Sequence, residues 1–196
     1  MPDPMLDWSG ETVVILAGGP SVLDLDLSLL LGHRVIAINS AWKLYPLADV
    51  LFFADGRWYD RFKPMGFSGL CVTTGSVSDP AVVHLAKVAP TRLATLRGEL
   101  ALNRSSVTGA INLAVHFGAG KIVLLGVDGK FVDGRRHGHD DEYPWHYVAR
   151  SYEDQTAEFR QVAPSIPVPV INCSPVSNLK VWPRMSLAEA LKIEPA

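Results

Sequence analysis

Five short stretches combine backbone freedom with polar or ionisable side chains: Gly18-Gly19-Pro20-Ser21, Asn39-Ser40, Asp55-Gly56, Ser106-Val107-Thr108-Gly109 and Asn172–Ser177. Glycine lets a chain turn sharply and lets a ligand approach the backbone. A helix beginning at such a turn offers N–H groups without intrahelical partners, where phosphate oxygens are favoured. Gly18, Gly19, Ser21, Thr108 and Gly109 thus suit a phosphorylated ligand. The Asn39 amide, which both donates and accepts, suits a base or ribose edge. An ordinary cap is the competing reading at Ser21 and at Asn39.

Asp128 follows the apolar run 121–126 and Val127, and the chain then changes character. Residues 129–145 are glycine-rich and charged, with Lys130, Arg135, Arg136, His137, His139, Asp140 and Asp141. That is too polar for a core and reads as a functional loop. A histidine such as His139 titrates near neutrality and can take a proton from a hydroxyl group. Lys130 or Arg136 can stabilise a departing phosphate. The His–Asp cluster also suggests a metal, although neighbours on one loop seldom converge on one ion unaided. His116 lies in an apolar helical run and reads as a core residue; His146 has no assigned role.

The elements that must position these groups follow from periodicity. Continuous apolar, β-branched runs at 12–17, 34–38, 50–54, 69–74, 121–125 and 168–171 read as buried strands. Pro169 favours a sheet edge for the last of them. A shorter strand is expected at 91–96. Helices are expected at 22–31, 57–67, 79–87, 110–120, 151–162 and 186–193, with Ser186 capping the last. Alternation of the two predicts an α/β fold: one Rossmann-like three-layer sandwich with a mainly parallel sheet over residues 1–196, residues 1–10 being an N-terminal extension. Ligands of such sheets bind at the carboxyl ends of the strands, where each polar stretch falls.

Composition narrows the class. The 196 residues are 48% hydrophobic and 19% charged, with a formal net charge of −2. Nothing in that balance indicates a nucleic-acid partner. Cys71 and Cys173 lack the spacing of a zinc site, and a reduced, cytoplasmic protein is expected, bacterial or in a phage-infected host. No apolar run approaches the roughly 20 residues of a membrane span, and the polar start of the chain does not read as a signal peptide.

In their order, Ala17–Ser21, Ala37-Ile38-Asn39, the strand ending at Asp55, Thr108–Gly120, Ile122–Asp128 and Asn172–Ser177 resemble a superfamily. It holds 6-hydroxymethylpterin diphosphokinase-like proteins and small bacterial sialyltransferases, and the likeness is nearest to members from phages and prophages. The resemblance implies that Gly19, Ser21, Asn39, Thr108 and Gly109 bind a cytidine nucleotide donor. It also implies that Gly138-His139 supplies the general base. Lys130, Arg135 and Arg136 stand where that family holds the donor phosphate with tyrosines, and Gly18 replaces an asparagine.

Two reactions fit these residues. In the first, a nucleotide-sugar gives its sugar to a hydroxyl acceptor, with His139 as base. In the second, ATP gives pyrophosphate to a hydroxymethyl group, with Mg²⁺ on Asp128 and Asp55 as a second candidate ligand. A non-catalytic nucleotide-binding protein is a third reading. The expected partners are a nucleotide or nucleotide-sugar and an acceptor, and a homo-oligomer is left open.

Overall fold

The computed structural model describes residues 6–144 and 151–195. The strands are β1 (Thr12–Leu16), β2 (Arg34–Ile38), β3 (Val50–Phe53), β4 (Leu70–Thr73), β5 (Val82–His84), β6 (Ala86–Val88), β7 (Glu99–Ala101), β8 (Lys121–Leu125) and β9 (Val170–Asn172). Seven form one sheet in the order β5-β4-β3-β2-β1-β8-β9, and β6 pairs with β7 apart from it. All pairings are parallel. The order runs outward in one direction from β1 to β5 and in the other from β8 to β9. The switch point therefore lies between β1 and β8, where a crevice opens at the carboxyl ends.

The helices are α1 (Gly56–Phe62), α2 (Ser106–His116), α3 (Ser151–Val162) and α4 (Leu187–Lys192). Alternate strand residues face opposite sides of the sheet. Val13, Ile15, Ile36, Phe52, Ile122 and Leu124 pack against Ile111 and Leu113 of α2 and Phe159 of α3. Val14, Leu16, Val35, Val123 and Leu125 pack with Leu187 and Ala190 of α4. The result is a Rossmann-like α/β sandwich of three layers, as the strand–helix alternation predicts. Among the described residues no helix is long and apolar enough to cross a membrane.

Three expected elements differ. In place of a helix over 22–31 there are two 3₁₀ turns, Pro20–Asp24 and Leu27–Leu30. The Asp26 carboxylate accepts the Ser28 N–H at 3.0 Å, a local bond that competes with helical pairing. In place of a helix over 79–87, Asp79 closes a turn onto the Ala81 N–H and the chain extends into β5 and β6. Val82 and Val83 fit a pleated surface better than a helix. The strand expected at 91–96 is absent, and β7 follows at 99–101. Asn112 accounts for this: its side chain accepts the N–H groups of Ala94 and Ala101 and donates to the Ala94 carbonyl.

Residues 6–10 are not a loose extension. Trp8 is buried, its ring edge-on to Phe117 at 4.7 Å, and its N–H donates to the Phe117 carbonyl at 2.7 Å. Helix α3 occupies the expected residues, Ser186 caps α4 through a capping box with Glu189, and β9 stands at the sheet edge. Lys121, fully buried at the start of β8, donates to the Ala190 and Ile193 carbonyls at the end of α4. A cation there complements the negative end of a helix.

Candidate functional site

Beyond β1 and β8 the chain is clasped. Asp128, 3% exposed, accepts the Ser21 N–H at 3.1 Å and the Ser21 hydroxyl at 2.5 Å, one through each carboxylate oxygen. Gly19 lies between: a Cβ there would stand 2.6 Å from the Asp128 Oδ2 and nearer still to the Gly126 carbonyl. Only glycine lets the turn close on the aspartate. Ser21 and Asp128 thus satisfy each other and fix the angle between two strand ends.

A second net holds Val127. Its N–H donates to the Ser174 hydroxyl at 2.7 Å, while its carbonyl accepts Asn172 Nδ2 and the Ser177 hydroxyl. The Asn172–Ser177 stretch, polar after a strand, thus shapes the crevice from beneath.

The crevice is a cavity of about 160 Å³ over β1, β2 and β8. Gly18 and Gly19, Asn39, Asp128 to Lys130, Ser105 to Val107 and, from α3, Tyr152 and Gln155 line it. Asn39 holds a positive φ of 50°, a conformation asparagine tolerates better than most residues. Among the described residues three cations border the space: Arg104, Lys130 and Arg136. The Arg136 guanidinium lies over Phe131 at 5.6 Å and over Tyr152 at 5.9 Å, which ties the loop to α3 and orients the charge. The loop itself closes through a tight turn at Asp133-Gly134, both with positive φ.

Thr108 and Gly109 sit one turn deeper than a phosphate site requires. Both are buried in α2 and outside the cavity lining; the place of a Gly109 Cβ is 2.7 Å from the Phe52 ring. The helix begins at Ser106, four residues before the expected start, with Ser105 as cap accepting the Val107 N–H. An internal anion already occupies the turn before it. Glu158 of α3, 4% exposed, accepts the N–H groups of Asn103, Arg104 and Ser105 at 3.1, 2.6 and 3.3 Å. The cavity therefore meets the α2 terminus through the side chains of Arg104, Ser105 and Ser106.

The two loop histidines stack, with ring centroids 4.8 Å apart and planes inclined by 11°. Both rings lie against Gly18, whose carbonyl accepts the Gly138 N–H at 2.9 Å. His137 lines the cavity and His139 does not; His139 borders an adjoining cleft of about 520 Å³ that meets the cavity at Arg136 and His137. Burial pushes the His137 imidazole down to about 4, helped by His139 and Arg136 and opposed by its bond to the Gly18 backbone. Burial also lowers His139. Among the described residues each ring keeps one buried nitrogen without a partner, Nε2 in His137 and Nδ1 in His139. The His139 Nε2 lies 3.3 Å from the Tyr143 hydroxyl, and Lys43 pins the loop by an ion pair to Asp141 at 2.7 Å.

Asp55 is elsewhere. It caps α1 through the Arg57 N–H and forms a forked ion pair with the Arg57 guanidinium. It borders a separate cleft of about 650 Å³, joined to the cavity along Arg104–Ser106. Both candidate Mg²⁺ ligands already have partners: Ser21 bonds to each oxygen of Asp128, and Arg57 pairs with Asp55. Among the described residues no three His, Cys, Asp or Glu side chains are grouped to hold a metal.

No family model, curated protein or solved structure matches the chain. The functional reading therefore rests on this geometry. Some of its parts are legible in hindsight: Tyr152, Gln155 and Phe159 recur at helical spacing along one stripe of α3. Arg104, Ser105 and Glu158 carry no comparable signal.

Proposed function

We propose that this chain binds a nucleotide-sugar in the cavity above β1 and β8 and transfers the sugar to a hydroxyl acceptor. The observation that carries the reading is one small cavity bordered by Arg104, Lys130 and Arg136, with His137 on the same wall. Three cations around a switch-point crevice favour a phosphate or diphosphate group. In the transfer, the acceptor oxygen bonds to the anomeric carbon as the bond from that carbon to the phosphate oxygen breaks. The acceptor proton passes to an imidazole, and the negative charge remains on the phosphate, facing the cations.

His137 is better placed than His139 for the proton. It lines the cavity, whereas His139 borders only the adjoining cleft, and it is neutral at physiological pH and so able to accept a proton. The pyrophosphokinase alternative is less favoured, because the carboxylates that would hold Mg²⁺ are engaged by Ser21 and Arg57.

The test pairs binding with turnover. CMP-, UDP-, GDP- and ATP-type ligands are screened by thermal shift, with and without Mg²⁺, and donor hydrolysis is followed for the best of them. A nucleotide at 100 times its Kd adds about 2.7 kcal/mol, roughly 5–10 °C for a chain of this size. His137→Gln is expected to keep that shift and lose turnover. Unchanged turnover in His137→Gln overturns the assigned base, and absence of any nucleotide shift overturns the site.

A further inference from the structure

The cleft beside Asp55 is unused by that reading, yet it shares a wall with the cavity. Arg104, Ser105 and Ser106 line both spaces, so the two are neighbouring compartments of one groove along the carboxyl edge of the sheet. The far wall of the cleft comes from Gly75 and Ser76 after β4 and from Lys87 of β6. Strands β6 and β7 stand outside the main sheet, and this excursion brings Lys87 to the groove.

The charges of the cleft divide into those already answered and those not. Asp55 and Arg57 neutralise each other in their fork. Lys87 and Arg104 are exposed and form no ion pair among the described residues, and Asp60 is the remaining carboxylate. Lys87 also acts on Asp55, and the cleft keeps an excess of one cation; with Ser76, Ser106 and the Asn103 amide on its wall it suits a hydroxylated anion. Among the described residues no aromatic side chain lines the cleft to give a stacking platform for a nucleobase.

We infer that this cleft is the second-substrate subsite, taking an anionic, hydroxyl-rich acceptor such as an acidic sugar. Lys87 would hold its anionic end while a hydroxyl reaches past Arg104, Ser105 and Ser106, on the shared wall, into the cavity. The inference rests on the transferase reading for its purpose, but the binding site stands on its own residues.

Amide NMR separates the two compartments. The protein is titrated with galacturonate, with neutral methyl galactoside, and separately with CMP. Galacturonate is expected to shift the Ser76, Lys87 and Asn103 amides saturably and more strongly than the neutral sugar. Lys87→Gln should weaken that binding about three- to tenfold, the range of one charge-assisted contact partly screened by solvent. CMP shifts at Gly19, Asn39 and Gln155 should be unaltered by the substitution. Galacturonate shifts that are absent, confined to the CMP-responsive amides, or insensitive to Lys87→Gln overturn the subsite. Absence of amide shifts with CMP, UDP, GDP and ATP alike, with galacturonate binding intact, overturns the nucleotide reading and leaves the subsite standing.

Discussion

Glu158 offers the most direct test of how the cavity wall is held. Its carboxylate is buried and accepts three successive N–H groups just before α2. Alanine would strip all three of their acceptor. Ser105 is buried, so its donor would stay unsatisfied at about 1–3 kcal/mol, while the exposed Asn103 and Arg104 would regain water and lose about 0.5 kcal/mol each. The favourable charge at a helix N-terminus contributes roughly another 0.5 kcal/mol. The expected loss is thus about 3 kcal/mol, or about 6–12 °C in Tm. Glu158→Gln keeps the side-chain volume and one acceptor oxygen, so it should lose only about 1–2 kcal/mol. Urea unfolding at neutral pH measures both. Formate, a small carboxylate, should restore part of the stability of Glu158→Ala and leave the wild type unchanged. If Glu158→Gln unfolds at the wild-type urea midpoint, the carboxylate is not what holds residues 103–105.

Two further outcomes follow from the same geometry. The His137 pKa falls from 6.5 to about 4 on folding, so the unfolded chain binds the proton first as pH drops. The contribution is fully present above about pH 6.5 and is lost as pH falls toward 4; it is at most about 3 kcal/mol, less for the exposed part of the ring. Urea midpoints between these values should fall with pH in the wild type and fall less steeply in His137→Gln. Gly19→Ala forces a Cβ against Asp128 and the Gly126 carbonyl and should lose about 3 kcal/mol as the Ser21 clasp opens. Gly98→Ala, where a Cβ meets nothing within 4 Å, should stay within about 0.5 kcal/mol of wild type in the same unfolding assay.

The sheet was legible because parallel strands buried on both faces leave continuous apolar runs, and β1, β2, β3 and β8 are such runs. Their polar ends were legible too, which located the crevice. Register within it was not. Thr108-Gly109 has the composition of a phosphate turn, but the helix cap is Ser105, and three residues further along α2 Thr108 is fully buried. The excursion over 85–101 was misread because its course is set by Asn112, a side chain that reaches back to Ala94 and Ala101. The Glu158 contact joins residues more than fifty positions apart, and no local pattern encodes it. The choice between His137 and His139 has the same cause: a difference of two positions on a loop decides which ring borders the cavity.

The Ser21–Asp128 clasp spans 107 residues of chain. During synthesis β1 waits with one edge unpaired until β8 has emerged, and joining strands so distant is slow. The cavity has no floor until that late event. A ligand held between Gly19 and Lys130 would therefore recognise only chains in which β8 has been seated, and its presence would drain partly folded molecules toward the finished state.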